Sequence, residues 1–170
     1  FKKYVIVVPS VAIREGVIKN LEITEEHFQN LYDKVPITSD VYDSKKVSNL
    51  RGFASANTIQ VLVINIDSFA KDENIINKPN DKLTGKKPVE FIQSCKPIVI
   101  VDEPQNMETE IRKRAIENLS PLCTLRYSAT HTNLYNLMYS LNPVKAYDLG
   151  LVKQIEVDSV ISENDFNSSY

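Results

Sequence analysis

Cysteine is scarce in this sequence: Cys95 and Cys123 are the two copies among 170 residues. They form neither a CxxC pair nor the dense framework of a disulfide-stapled secreted domain, so two reduced, buried thiols in a cytoplasmic protein are expected. An excess of basic charge is lacking too. Lys and Arg number 20 against 22 Asp and Glu, for a net charge of −2 and a pI near 5.8. That balance argues against a chain held on nucleic acid by a general basic field, and confines any phosphate contact to local groups. No apolar run approaches the ~18 residues that cross a membrane, and the start carries no basic, apolar and small-residue leader pattern. Membrane and exported classes are set aside on those grounds. Tight hairpin signals and internal repeats are also absent. With 42% hydrophobic and 25% charged residues, the chain has enough apolar material to bury a core and most simply forms one globular domain. It opens on Phe1 and enters the run "FKKYVIVVP" with almost no lead-in, which reads as a cut from something longer.

Short β-branched runs alternate with segments of helical spacing, the pattern of a parallel sheet wrapped by helices. Strands are expected at residues 4–8, weakly at 40–42, then at 61–66, 98–101 and 122–127, with a later candidate at 153–157. "VLVINI" and "PIVIVD" are nearly continuous apolar runs, as strands buried on both faces require. Helices are expected at 11–21 and 25–32, from an N-cap at Ser44 to about Ala56, at 110–119, and at 134–141 behind a cap at Asn133. The polar stretch 71–88 reads as a long surface loop, solvated despite Lys82, Lys86 and Lys87 because acidic residues dilute its charge. His27 reads as solvated and His131 as a locally bonded loop residue, while Tyr127, Tyr135 and Tyr139 are expected to pack on strand and helix faces. Right-handed crossovers would collect the carboxyl ends of the strands on one edge, where chemistry should sit.

Three features point at that edge. In "PIVIVDEPQ", buried β-branched residues deliver Asp102 and Glu103 to the end of a strand. A solvated turn or helix cap explains one acidic residue there, and two adjacent carboxylates also suit a nucleotide motor: the first holds magnesium, the second orients and deprotonates the attacking water. Pro104 makes the chain leave sharply, and Gln105 is then placed to sense the neighbouring loop. In "LRYSATH", a second apolar strand ends in Ser128, Ala129 and Thr130, one strand–helix–strand unit later, so both groups should emerge side by side. In "YVIVVPSVAIREGV", Pro9 and Ser10 precede a helix carrying Arg14, which forms either a small anion site suited to a nucleic-acid phosphate or an ordinary helix cap with a solvated Arg.

In this order the three resemble motifs Ia, II and III of the DEAD/DEAH-related helicase superfamily. Within it, "VVPSVAIREGV", "VINIDSF", "IVIVDEPQNME", "LCTLRYSATH" and "AYDLGLVKQIEV" resemble the restriction subunit of Type III restriction-modification systems, over nearly the whole chain up to about Val157. The resemblance implies an α/β, RecA-like three-layer sandwich, its mostly parallel sheet flanked by helices and truncated at the N-terminal phosphate-loop strand. It implies a partial motor domain over 1–157 and a polar tail over 158–170, disordered or leading toward a second motor domain. The implied activity is ATP- and magnesium-dependent translocation on double-stranded DNA before cleavage, with a methyltransferase and recognition subunit and the same chain's second motor and nuclease domains. Asp102 and Glu103 take the metal and catalytic roles with Gln105 beside them. Ser128, Ala129 and Thr130 become the coupling element, and Pro9, Ser10 and Arg14 lie beside DNA with Asn65 to Ser68 as a second contact loop.

The departure from the family is large. A loop of the form G-x-x-x-x-G-K-[ST] should precede the first strand, yet the one Gly-Lys pair, Gly85 and Lys86, has Asn80 where the first glycine belongs and Lys87 where the hydroxyl belongs. The 170 residues alone are therefore expected to be inactive. Two other readings stand beside the first: the motor of another restriction or repair helicase, and a non-catalytic α/β module whose acidic edge holds a metal or small ligand.

Overall fold

A computed structural model describes residues 1–129 and 134–153. These fall in two compact units, Phe1–Thr132 and Asn133–Tyr170.

The first unit is built on five strands: β1 Lys3–Val8, β2 Ile37–Val41, β3 Ile59–Asn65, β4 Ile98–Asp102 and β5 Cys123–Tyr127. All pair in parallel, in the order β2-β3-β1-β4-β5. This is the expected α/β architecture, consistent with a RecA-like fold. The helices are α1 Val11–Leu31, α2 Asn49–Ser55, α3 Pro88–Cys95 and α4 Glu110–Asn118. The connection through α1 runs outward from β1 to the edge strand β2, whereas those through α2, α3 and α4 run the other way across the sheet. Right-handed crossovers then lay α1 on one face and the other three helices on the opposite face. The core follows that division. Val5, Val7, Leu62, Ile64, Val99 and Val101 point from the central strands into a layer closed by Leu50 and Phe53 of α2, Val89 and Ile92 of α3, and Ala115 and Ile116 of α4. On α1, by contrast, no residue is fully buried.

Several local expectations are corrected. The two helices expected before residue 33 are one, because nothing at residues 22–24 stops it: the Thr24 hydroxyl donates back to the Asn20 carbonyl at 2.7 Å, as a helix-interior threonine does. Ser44 caps no helix. Asp43 accepts from the Lys45 N–H at 2.8 Å and folds residues 43–46 into a turn, and α2 begins only at Asn49. The stretch 71–88 is not a structureless loop, for its 3-10 turns Ile75–Asn77 and Asp81–Leu83 bury Ile76 and Leu83; its Lys82, Lys86 and Lys87 are exposed as expected. Helix α3 was missed, although Pro88 at its first turn with Val89 and Ile92 three apart was a readable signal. Cys95 is half-buried and Cys123 exposed, since β5 is an edge strand. For the same reason Tyr127 is 60% exposed instead of packed.

In the second unit, residues 134–141 form no helix. The helix there is α5 Pro143–Asp148, with Asn142 accepting from the Lys145 N–H at 2.8 Å and proline opening the first turn. Tyr135 and Tyr139 are exposed, and the Lys145 ammonium stands 5.1 Å from the Tyr139 ring centroid. Thr130, His131, Asn133, the strand candidate beyond residue 153, the boundary after 157 and the tail lie outside the described residues.

Candidate active site

Parallel strands put all their carboxyl ends on one rim, and the register fixes who stands beside whom. Val8 pairs with Asn65, so Pro9 and Ser10 leave β1 next to the turn that follows β3. Asp102 pairs with Tyr127, so Glu103 and Ser128 leave neighbouring strands together. The β1 and β4 connections depart toward opposite faces, the topology beside which ligands bind in open α/β sheets.

The acidic turn has an unusual backbone. Glu103 lies in the left-handed region at φ 53°, and its N–H donates to the Tyr127 carbonyl at 3.0 Å, adding one bond beyond the β4–β5 ladder. Such a conformation is uncommon for a residue other than glycine and costs on the order of 1–3 kcal/mol, so the surrounding contacts must hold it. Pro104 then opens the 3-10 turn Pro104–Met107, anchored by buried Met107. That turn directs Gln105 back toward the strand ends. The Gln105 Nε2 donates to Glu103 Oε2, and the Ser128 hydroxyl donates to Gln105 Oε1 at 2.8 Å. One amide therefore joins the carboxylate of one strand end to the hydroxyl of the next. Ala129 follows Ser128 on the exposed side of the rim.

Burial, reinforced by repulsion from Glu103, pushes the Asp102 carboxyl above the usual aspartate range, against a backbone hydrogen bond that lowers it. A cation beside the Asp102 carboxylate would favour its charged form and so offset both causes. Among the described residues no third metal-ligating side chain joins the pair. The donor set is thus two hard oxygen groups that leave the remaining positions to water and phosphate, which fits magnesium rather than a metal held by a protein cage. A carboxyl raised in the folded state favours folding below the ordinary aspartate value, and that contribution is lost as pH rises through the raised folded value. Asp102→Asn is accordingly expected to raise the urea midpoint at neutral pH, with the difference closing in acid. An unchanged difference across that range would contradict the assignment. Glu108 behaves oppositely. Burial acts to raise it, but Arg126 and Lys113, both paired with it, hold it below the usual glutamate range.

The other sequence-derived residues are also on the rim, with side chains partly engaged. Ser10 caps α1 by accepting from the Ile13 N–H at 3.3 Å, and Arg14 pairs with neighbouring Glu15 at 2.8 Å. Asn65 accepts from the Asp67 N–H at 2.9 Å and so shapes its own turn. Arg14 and Ser68 line a crevice of about 760 Å³ beyond the ends of β2 and β3, together with Lys46, Asn49 and Asn74. Sequence reading had not singled out Lys46, Asn49 or Asn74, because only the crossovers bring them together. Tyr42 also borders this crevice; its hydroxyl is buried without a partner, and burial, then Asp43, push it up to about 12.

Fold and rim together define an α/β parallel-sheet domain in which adjacent carboxylates and a neighbouring hydroxyl stand on one rim, joined through Gln105. Comparison with curated proteins makes the kinship specific: the chain is related to the Res subunits of Type III restriction-modification enzymes. It is 26% identical to the StyLTI Res subunit of Salmonella typhimurium over 91% of this chain and 19% of that protein. It is 28% identical to the EcoP15I Res subunit of Escherichia coli and 29% identical to the EcoPI Res subunit of Escherichia phage P1, in each case over 90% of this chain and 18% of the relative. The chain thus spans about a fifth of the length of the curated relatives it matches. No family model matches it. Among the described residues, no helix is long and apolar enough to cross a membrane.

Proposed function

We propose that this chain is part of the first motor domain of a Type III restriction subunit, in which ATP hydrolysis drives movement on double-stranded DNA before cleavage. The observation that carries the reading is the bridge from Glu103 through Gln105 to Ser128, since it links the end of β4 to the end of β5 through a single side chain. In this reading Asp102 holds magnesium and Glu103 takes the proton from the attacking water. Gln105 fixes the Glu103 carboxylate, while Ser128, Ala129 and Thr130 carry the state of that turn toward the DNA. Magnesium, held by Asp102, would supply positive charge to offset the negative charge of the nucleotide phosphates. Pro9, Ser10, Arg14 and Asn65 face the DNA backbone. Backbone N–H groups and Arg14 make the contact, because the Ser10 and Asn65 side chains already serve their own turns. The partners are a methyltransferase and recognition subunit together with a second motor domain and a nuclease domain of the same protein.

The reading requires a phosphate-binding loop, and none lies within the 170 residues. A Gly-rich loop ending in Gly-Lys-Ser or Gly-Lys-Thr is expected elsewhere in the natural protein. Its absence there would leave a binding module in place of a motor. The 170 residues alone are expected to release no phosphate from ATP with magnesium and DNA, because the carboxylates cannot position a nucleotide without the loop's backbone cradle. Turnover that survives purification and disappears in Glu103→Gln would overturn that dependence, whereas DNA-stimulated hydrolysis by the intact protein supports the motor.

A further inference from the structure

Two rim segments with different roles in the proposed reaction are tied by one side chain. Arg112 stands on α4, and its guanidinium donates in two directions. The Nη2 group reaches Asp67 Oδ1 at 2.9 Å, and Nη1 reaches the Asn106 carbonyl at 2.7 Å. Asp67 belongs to the turn after β3, held by the Asn65 side chain at the Asp67 N–H and by the Asn74 amide, which donates to the Asp67 carbonyl at 3.1 Å. Asn106 follows Gln105 in the turn Pro104–Met107. The strands that end in these two turns are not neighbours, for β1 lies between them. Besides Arg112, the two turns are linked through the core they share, to which Ile66 and Phe69 on one side and Met107 on the other belong.

We infer that Arg112 is a positioning residue that transmits occupancy of the turn after β3 to the setting of Gln105, and through it to Glu103. The inference rests on the motor reading. An ion pair with an acid as open as Asp67, 67% exposed, contributes little to folding. Placing a forked cation there serves geometry more than stability. A fork is required: lysine offers one point charge on a flexible stem and cannot hold a carboxylate and a carbonyl in fixed directions. The first turn of α4 is itself seated firmly, since Lys113 also pairs with Glu108 at 3.3 Å and Glu108 pairs with Arg126 of β5. A displacement at Asp67 therefore reaches the Gln105 turn instead of being absorbed by a loose helix start.

The experiment is ATP hydrolysis by the intact natural protein, with and without linear duplex DNA, for the parent, Arg112→Ala and Arg112→Lys. Both variants are expected to keep the basal rate and the thermal midpoint while DNA stimulation falls on the order of fivefold or more. Adding Asp67→Asn to Arg112→Ala should lower stimulation no further, as two members of one interaction behave in a double-mutant cycle. Full stimulation in Arg112→Ala overturns the inference and leaves the motor reading standing. A fall of basal and stimulated rates together with the thermal midpoint also overturns it, since that is loss of structure. If the parent shows no DNA-stimulated hydrolysis that Glu103→Gln abolishes, the motor reading fails and takes the inference with it.

Discussion

Glu103→Gln is expected to lower ATP turnover by the intact protein about 10²–10⁴-fold, the range that removal of a general base covers, while nucleotide binding is retained. The substitution is nearly isosteric and leaves Asp102 in place, so the carboxylate proposed to hold the metal, the left-handed turn and the Tyr127 backbone bond need not change. What is lost is the group proposed to accept a proton from water. Gln105 sharpens the prediction, because its amide holds one oxygen of Glu103 and so fixes the direction of the carboxylate. Single-turnover and binding measurements on parent and variant separate the two steps. A variant that hydrolyses ATP at the parental rate would remove Glu103 from the chemistry and with it the main reason for reading the acidic turn as catalytic.

Ile64→Ala should destabilise the 170-residue chain by about 2–5 kcal/mol, the cost of truncating a fully buried aliphatic residue. Ile64 is 0% exposed on β3, pairs in register with Val7, and belongs to the cluster closed by α2, α3 and α4. Against a typical net stability of about 5–15 kcal/mol, that is enough to leave the domain marginal. The control is Ile23→Ala on α1, where the side chain is 68% exposed and the expected change stays within about 0.5 kcal/mol. Urea midpoints measure both. Comparable losses at the two positions would mean that the face under α1 carries as much of the core as the opposite face, contrary to the burial described.

Much of the fold was legible because its signals are local. β1, β3 and β4 are apolar runs that announce burial on both faces, and each was placed to within two residues at either end. β2 reads Ile-Thr-Ser-Asp-Val and lies at the edge, where one flank needs no apolar cover, so its pattern was weak and only its final part was anticipated. The turns that bury Ile76 and Leu83 were lost in a stretch dominated by polar residues, since apolar anchors too far apart for a period were all that marked them, whereas α3 after it did carry a local signal in Pro88, Val89 and Ile92. The expected break within α1 came from the polar segment around residues 22–24, where helix continuity is set by the absence of a stop and by the Thr24 back-bond. At the rim, Asp102, Glu103, Gln105 and Ser128 could be named from type and order alone. At Ser10 the sequence left a helix cap and an anion site side by side, because both draw on the same residue types, and the structure shows the cap; the turn that Asn65 holds was not read from the sequence.

The sequence by itself determined that the sheet is parallel, which strands end in carboxylates and which in hydroxyls, and that these 170 residues hold no Gly-x-x-x-x-Gly-Lys-Ser/Thr loop; each of these depends on near neighbours along the chain. Only the tertiary structure decided that β1 separates β3 from β4, that one glutamine amide joins Glu103 to Ser128, and that Arg112 spans from Asp67 to Asn106. Those facts follow from crossover direction and strand register, which bring together groups far apart in sequence, and no local pattern of residues encodes such a distance.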